Sequence, residues 1–291
     1  MQGIIAAVPT PIDASGAPIR ELFVEHCRWA LANGCDGLNV LGSTGEANSF
    51  DGATRGRVMG WAAEELGGER LMVGTGTPSL AETVALTTEA DRLGFAVALV
   101  LPPYYYKPAT DDGLYRWYMA LHAALGARPI RLYFYNFPQM TGIVISQSVI
   151  ERLHRAAPER FCGIKDSSGD LAYCRGIASA LPGFIVLPSS ETSLPEARSS
   201  GFAGCISATV NLSAPLCGRL WAGETGLADR IATIRGSVSA QPLIPAIKYL
   251  VGRRSGDPSW EEVLPPFTAL TAQARAALDA IDLSHADSAV A

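Results

Sequence analysis

A chain of 291 residues, 48% hydrophobic and 18% charged, can bury a sizeable core, which excludes disorder as its main state. Its net charge of -5, with no strongly basic half, argues against a nucleic-acid binder held by phosphate contacts. The apolar runs are strand-sized, such as Phe95–Leu101, and fall short of the roughly 18 residues that would span a bilayer, so no membrane partner is expected.

Met1–Ala7 lacks a basic segment and a signal-peptide layout, and the expected compartment is cytoplasmic. The first apolar run is Ile4–Val8. Further runs follow at Gly37–Leu41, Leu71–Gly74, Ala96–Leu101, Arg131–Tyr135, Phe161–Lys165, Phe184–Leu187 and Gly204–Ala208. Amphipathic stretches lie between them, at about 19–33, 51–66, 79–93, 111–125, 146–157, 170–180 and 192–199. Runs of this kind suit strands buried on both faces, and eight strands each followed by a helix predict a (β/α)8 TIM barrel. A doubly wound sheet is the alternative, but no GxGxxG follows the first run. Residues 1–212 are read as the barrel core. Residues 213–291 are read as its last helix and a C-terminal helical extension of the same domain, with helices at about 213–236, 242–251 and 258–282. The small, polar tail Ser284–Ala291 is expected to fray.

The six cysteines (27, 35, 162, 174, 205, 217) are dispersed, and Cys162 and Cys205 sit in apolar runs, so free buried thiols are expected. His26, His122, His154 and His285 form no metal motif, and no metal is assigned.

Chemistry in a barrel belongs at the C-terminal ends of its strands. The second run ends in Gly42-Ser43-Thr44-Gly45-Glu46. Glycines let backbone N–H groups converge and the hydroxyls add donors, which suits a carboxylate or phosphate; an ordinary Gly-rich turn is the alternative. The fifth run ends in Tyr133-Phe134-Tyr135-Asn136-Phe137-Pro138, where Tyr135 is either a proton-shuttling phenol or a rim aromatic. The sixth run carries Lys165, one of three lysines in the chain. Lys107 lies in a polar loop between prolines, and Lys248 is expected to snorkel from a helix. Burial at a strand end disfavours an ammonium, and a neutral amine beside a ketone is a Schiff-base nucleophile. A structural ion pair with a neighbouring acid is the alternative. Together, an anion pocket, a phenol and a lysine suit imine chemistry on a 2-oxo acid, with the protonated imine as the electron sink.

Taken in order, Gly42-Ser43-Thr44-Gly45-Glu46, Pro103-Tyr104-Tyr105, Tyr135-Asn136-Phe137-Pro138 with Thr141-Gly142, and Gly163-Ile164-Lys165-Asp166 resemble the motifs of the dihydrodipicolinate synthase / N-acetylneuraminate lyase family of class I aldolases, over about residues 4–250. The resemblance implies a barrel with extra C-terminal helices, usually assembled as a tetramer, and no cofactor beyond the covalent imine. It implies catalytic roles for Lys165 (imine), Tyr135 (proton transfer), Ser43 (proton relay) and Tyr105, which would reach a neighbouring subunit's site. It implies a substrate site formed by Thr44, Gly42, Gly45 and the main chain of Ile206. At the position where dihydrodipicolinate synthases carry a carboxylate-binding arginine, this chain has Met140. Sialic acid lyases usually carry an Asp-Glu pair and a later serine where this chain has Ser190-Glu191 and Ala208, so Glu191 is a candidate for a sugar hydroxyl. The favoured activity is therefore aldol cleavage, condensation or dehydration of a 2-keto-3-deoxy sugar acid or related oxo acid. Dihydrodipicolinate synthase and N-acetylneuraminate lyase remain the enzyme alternatives, and a sugar-acid-binding regulator the non-enzyme one.

Overall fold

In the computed structural model, which describes residues 1–284, every predicted apolar run forms a strand: β1 Gly3–Ala7, β2 Gly37–Val40, β3 Leu71–Gly74, β4 Val97–Val100, β5 Arg131–Asn136, β6 Phe161–Asp166, β7 Ile185–Pro188 and β8 Gly204–Ser207. The expected bounds differ from these by a residue or so at the ends. All pairings among these eight strands are parallel, in the order β7-β6-β5-β4-β3-β2-β1-β8. Between the two ends of that order, the Ala203 N–H donates to the Val186 carbonyl at 2.9 Å, which draws β7 and β8 together into a nearly closed (β/α)8 barrel.

The helices between strands are α1 Arg20–Ala32, α2 Gly52–Leu66, α3 Leu80–Arg92, α4 Asp111–Leu125, the short α5 Pro138–Thr141, α6 Gln147–Ala156, α7 Leu171–Ala180 and the short α8 Ala197–Ser200. Their starts are chemically marked: Asp51, Ser79, Thr110, Ser146 and Asp170 each accept an N–H of the first turn, which satisfies an orphan donor. The stretch expected at 192–199 begins as a 3₁₀ helix, Glu191–Glu196, before α8.

Side chains alternate across the strands. Ile4 and Ala6 pack outward into the helix layer, while Ile5 and Ala7 face the barrel interior with Met72, Leu99, Tyr133 and Tyr135. One irregularity matters for the site. The β5–β6 register shifts at Leu132/Tyr133, so that Tyr133 opposes Gly163 and Tyr135 opposes Lys165. A Cβ on Gly163 would lie 2.8 Å from the Tyr133 ring, so glycine is what lets that large interior aromatic fit.

The C-terminal region departs from expectation. The helix anticipated over 213–236 is two helices, α9 Val210–Trp221 and α10 Ala228–Ser239, parted by Gly223 and Gly226, both at positive φ. The eighth barrel helix thus starts before residue 213. α11 spans Leu243–Ser255. The stretch 258–282 is one 3₁₀ turn at Pro258–Glu261, an irregular segment through Pro265 and Pro266, and then α12 Ala272–Asp279. Beyond Ser284, the expected frayed tail lies outside the described residues.

His26 ties these added helices to the barrel. A guanidinium can only donate, so Arg254 Nη2 donates to His26 Nδ1 at 2.8 Å, and Nε2–H donates to Asn211 Oδ1 at 2.8 Å. Burial, with the Arg254 charge beside it, pushes the pKa of His26 down to about 3, so the ring is neutral. All six cysteines are free and only Cys162 is partly exposed; burial pushes the thiols of Cys27, Cys205 and Cys217 up, which keeps them protonated and inert. Among the described residues, no helix is long and apolar enough to cross a membrane.

Lys248 does not snorkel. It is fully buried on α11, and its Nζ donates to Glu46 Oε2 at 2.8 Å, while Glu46 Oε1 accepts the Leu264 N–H at 2.7 Å. Burial lowers the Lys248 pKa, against the raising effect of Glu46. Glu46 itself sits at φ +53, in the left-handed region, directly after Gly45, so this buried pair anchors the turn that holds Ser43 and Thr44. Lys248→Met strands a buried carboxylate and is expected to cost about 3–5 kcal/mol, read from the urea midpoint at constant m-value. A change below about 1 kcal/mol, the range of an exposed ion pair, would show that the pair does not anchor the turn.

Candidate active site at the barrel mouth

The strand register places Tyr135 beside Lys165. Lys165 Nζ donates to the Tyr135 hydroxyl at 3.2 Å, and that hydroxyl shares a second hydrogen bond of 3.2 Å with Ser43 Oγ. Lys165 is 4% exposed, and its Nζ lies 4.3 Å from the centroid of the Tyr135 ring. Among the described residues no carboxylate lies within ion-pair distance of it. The neighbouring Asp166 is otherwise engaged: Asn136 Nδ2 donates to Oδ1 at 2.7 Å, and Ser168 Oγ donates to Oδ2 at 2.7 Å. The ion-pair alternative for Lys165 is thus set aside. Asn136 also accepts the Ile145 N–H at 3.0 Å, which ties the segment after α5 to the ends of β5 and β6. The Phe137 ring stacks on Tyr135 with centroids 5.7 Å apart. Tyr133, by contrast, is wholly buried and serves as core.

Ser43, Thr44, Tyr135, Lys165, Ile206 and Met140 line one cavity of about 320 Å³ at the barrel mouth. The buried Thr44 hydroxyl makes no hydrogen bond to another described residue, which leaves it for a ligand. The glycines of the turn act differently from the expected row of donors. The Gly45 N–H is occupied by the Gly42 carbonyl at 3.1 Å, and a Cβ on Gly42 would lie 2.4 Å from Asn39 Nδ2. Gly42 and Gly45 therefore shape the turn, and the hydroxyls face the cavity.

Two expected residues stand elsewhere. Glu191 is fully buried and does not line the cavity, because its carboxylate is saturated by Ser207 Oγ at 2.5 Å, by Arg235 Nη1 at 2.9 Å and by Thr209. It therefore cannot reach a sugar hydroxyl. Tyr105 and Tyr106 are 73% and 83% exposed and pack edge-to-face on each other, so Tyr105 takes no part in the cavity of its own chain. Tyr104 lines an adjoining space of about 220 Å³ shared with Ser43, Met140 and Phe267.

Sequence reasoning missed Ser167, Ser189, Phe267 and above all Arg235 on α10, all of which line the main cavity. Arg235 belongs to no motif and follows β8 by almost thirty residues, so no local signal marks it. Among the described residues, no group of three or more His, Cys, Asp or Glu side chains could hold a metal ion.

A sequence model of the dihydrodipicolinate synthetase family matches residues 1–284. A 4-hydroxy-tetrahydrodipicolinate synthase of Rhodopseudomonas palustris is 29% identical over 289 residues, 94% of each chain. The dihydrodipicolinate synthase structure from Agrobacterium tumefaciens superposes with a TM-score of 0.90 at 28% identity, covering 97% of this chain and 99% of that one. YagE, a prophage protein of the same family from Escherichia coli K12 solved with pyruvate, gives a TM-score of 0.87 at 25% identity over 96% of each chain. With a family match along nearly its whole length and a barrel of the same architecture, the chain belongs to the dihydrodipicolinate synthetase family.

Proposed function

We propose that this lyase forms a Schiff base between Lys165 and a 2-oxo acid, and that it cleaves, condenses or dehydrates a 2-keto-3-deoxy sugar acid or a related oxo acid. The observation that carries the reading is the Ser43–Tyr135–Lys165 chain, with an amine free of any acid partner, beside an unoccupied Thr44 hydroxyl. In this mechanism Thr44 holds the substrate carboxylate. The Lys165 amine attacks the 2-oxo carbon, and the Tyr135 hydroxyl carries protons to and from the departing oxygen through Ser43. The resulting iminium accepts the electron pair released when the neighbouring bond breaks. No cofactor is required. The pyruvate-bound family structure supports pyruvate as the fragment retained on the lysine.

The named relatives favour a second reading, condensation of pyruvate with aspartate semialdehyde. Met140 opposes it, because a thioether lacks the bidentate donors that hold a carboxylate at that position. Pyruvate release from a panel of 2-keto-3-deoxy acids is expected to exceed condensation with the semialdehyde in kcat/KM by about 10-fold or more, the scale of one lost charge-assisted hydrogen bond. Robust condensation with a micromolar KM would return the protein to the second reading.

The exposed Tyr105, Tyr106, Met140 and Val144 support assembly into a homotetramer, a pair of dimers in which Tyr105 reaches the partner's Ser43 and Tyr135. Sedimentation should give a species larger than a monomer. Mixed dimers of Lys165→Ala and Tyr105→Phe chains should regain activity that neither has alone. A monomer, or mixed dimers that stay inactive, would place Tyr105 outside catalysis.

A further inference from the structure

Arg235 enters the mouth of the barrel from α10, on the side built from the segments after β7 and β8, and lines the same cavity as Lys165. One corner of its guanidinium is pinned. Nη1 donates to Glu191 Oε2 at 2.9 Å, to Ser207 Oγ at 3.0 Å and to Thr209 Oγ1 at 2.9 Å. Nε and Nη2 make no hydrogen bond to any described residue. The side chain remains 26% exposed, although its partner Glu191 is wholly buried. A guanidinium is a rigid planar fork, so pinning one corner orients the remaining donors.

We propose that Arg235 binds a carboxylate at the far end of the substrate, so that this chain prefers 2-oxo acids that are anionic at both ends. The proposal rests on the Schiff-base reading and names the substrate class for that site. Glu191 acts as the positioning residue: saturated by two hydroxyls, it holds the guanidinium and touches no ligand. The edge from Nε to Nη2 matches the two oxygens of a carboxylate. Phe137, Leu243, Ile244 and Phe267 give the same cavity an apolar lining, which suits the methylenes between the two ends of such a substrate. Glu191 offsets the Arg235 charge, and apart from Lys165 no other basic residue among the described ones lines the cavity, so a monoanionic carboxylate fits better than a phosphate dianion.

Matched 2-oxo acids test this without turnover. Each is used to protect Lys165 from reductive labelling by pyruvate and borohydride, read by peptide mass spectrometry. 2-Oxoadipate should protect at concentrations about 10–100-fold lower than 2-oxohexanoate, the worth of hydrogen bonds to a charged group. In Arg235→Gln this ratio should fall to within about 3-fold of one, and Arg235→Lys, which keeps the charge and loses the fork, should lie between. Thermal unfolding of each variant is followed in parallel. A lowered midpoint with an unchanged ratio would make Arg235 only a strut between α10 and the barrel and would overturn the proposal. A wild-type ratio near one would do the same. Tighter protection by 2-oxo-5-phosphonopentanoate than by 2-oxoadipate would overturn the choice of a carboxylate. If Arg235→Gln does not fold, the ratio in Arg235→Lys decides. A wild-type pyruvyl adduct on Lys165 with no preference between the acids removes the role of Arg235 alone, whereas absence of any adduct removes the Schiff-base reading and this proposal with it.

Discussion

Lys165→Ala is expected to abolish the pyruvyl adduct that borohydride leaves on the wild-type chain, and to lower turnover by roughly 10⁴–10⁶-fold, the scale for removing a covalent nucleophile. The assignment is testable because the chain has only three lysines, and each occupies a distinct environment. Lys107 is exposed in the loop beyond Tyr106. Lys248 is buried against Glu46 and lines no part of the cavity, so it has neither access to a ketone nor a free amine. Lys165 alone combines burial, a hydroxyl partner and a cavity wall. Peptide mass spectrometry should locate the reduced adduct there. An adduct on Lys107 or Lys248, with Lys165 unmodified, would sink the imine mechanism as drawn.

Tyr135→Phe is expected to lower kcat by about 10²–10⁴-fold while leaving the fold intact. The substitution removes one oxygen and keeps the ring that stacks on Phe137 and underlies the Lys165 amine. What disappears is the oxygen that joins Ser43 to Lys165. Proton transfer during imine formation and bond cleavage then falls to water, so rapid-quench borohydride trapping should show slower build-up of the adduct as well as slower turnover. A near-normal kcat would mean that the phenol only packs. Ser43→Ala should mimic a smaller part of the loss, since Tyr135 would keep its contact with Lys165.

The barrel and the centre of the site were legible in the sequence because both depend on local chemistry. Short apolar runs at regular spacing specify strands buried on both faces. At their C-terminal ends, Tyr135 and Lys165 are placed by the same two-residue alternation that buries Tyr133, while Ser43 and Thr44 stand in the glycine-flanked turn after β2. Parallel pairing of neighbouring strands then carries Tyr135 to Lys165 across thirty residues, and only the exact register, with its shift at Leu132/Tyr133, needed the fold.

Other features follow from contacts that no local pattern encodes. Lys248 reads as a snorkelling helix residue because its partner Glu46 is 202 positions away, and only packing α11 over the second βα turn brings them together. Glu191 reads as a ligand for a sugar because Ser190-Glu191 stands where sialic acid lyases usually carry an Asp-Glu pair. The added helix α10 covers it and supplies Arg235, so a buried carboxylate that would be costly alone becomes the support of a cation at the cavity wall. The break between α9 and α10 makes this possible, since the glycines at 223 and 226 turn the chain back across the mouth. The sequence by itself thus determined the barrel and the lysine–phenol pair, through periodicity and strand-end chemistry. Tertiary structure alone decided that Glu191 and Lys248 are buried in ion pairs and that Arg235 reaches the cavity, because burial and pairing of charges depend on neighbours remote in the chain.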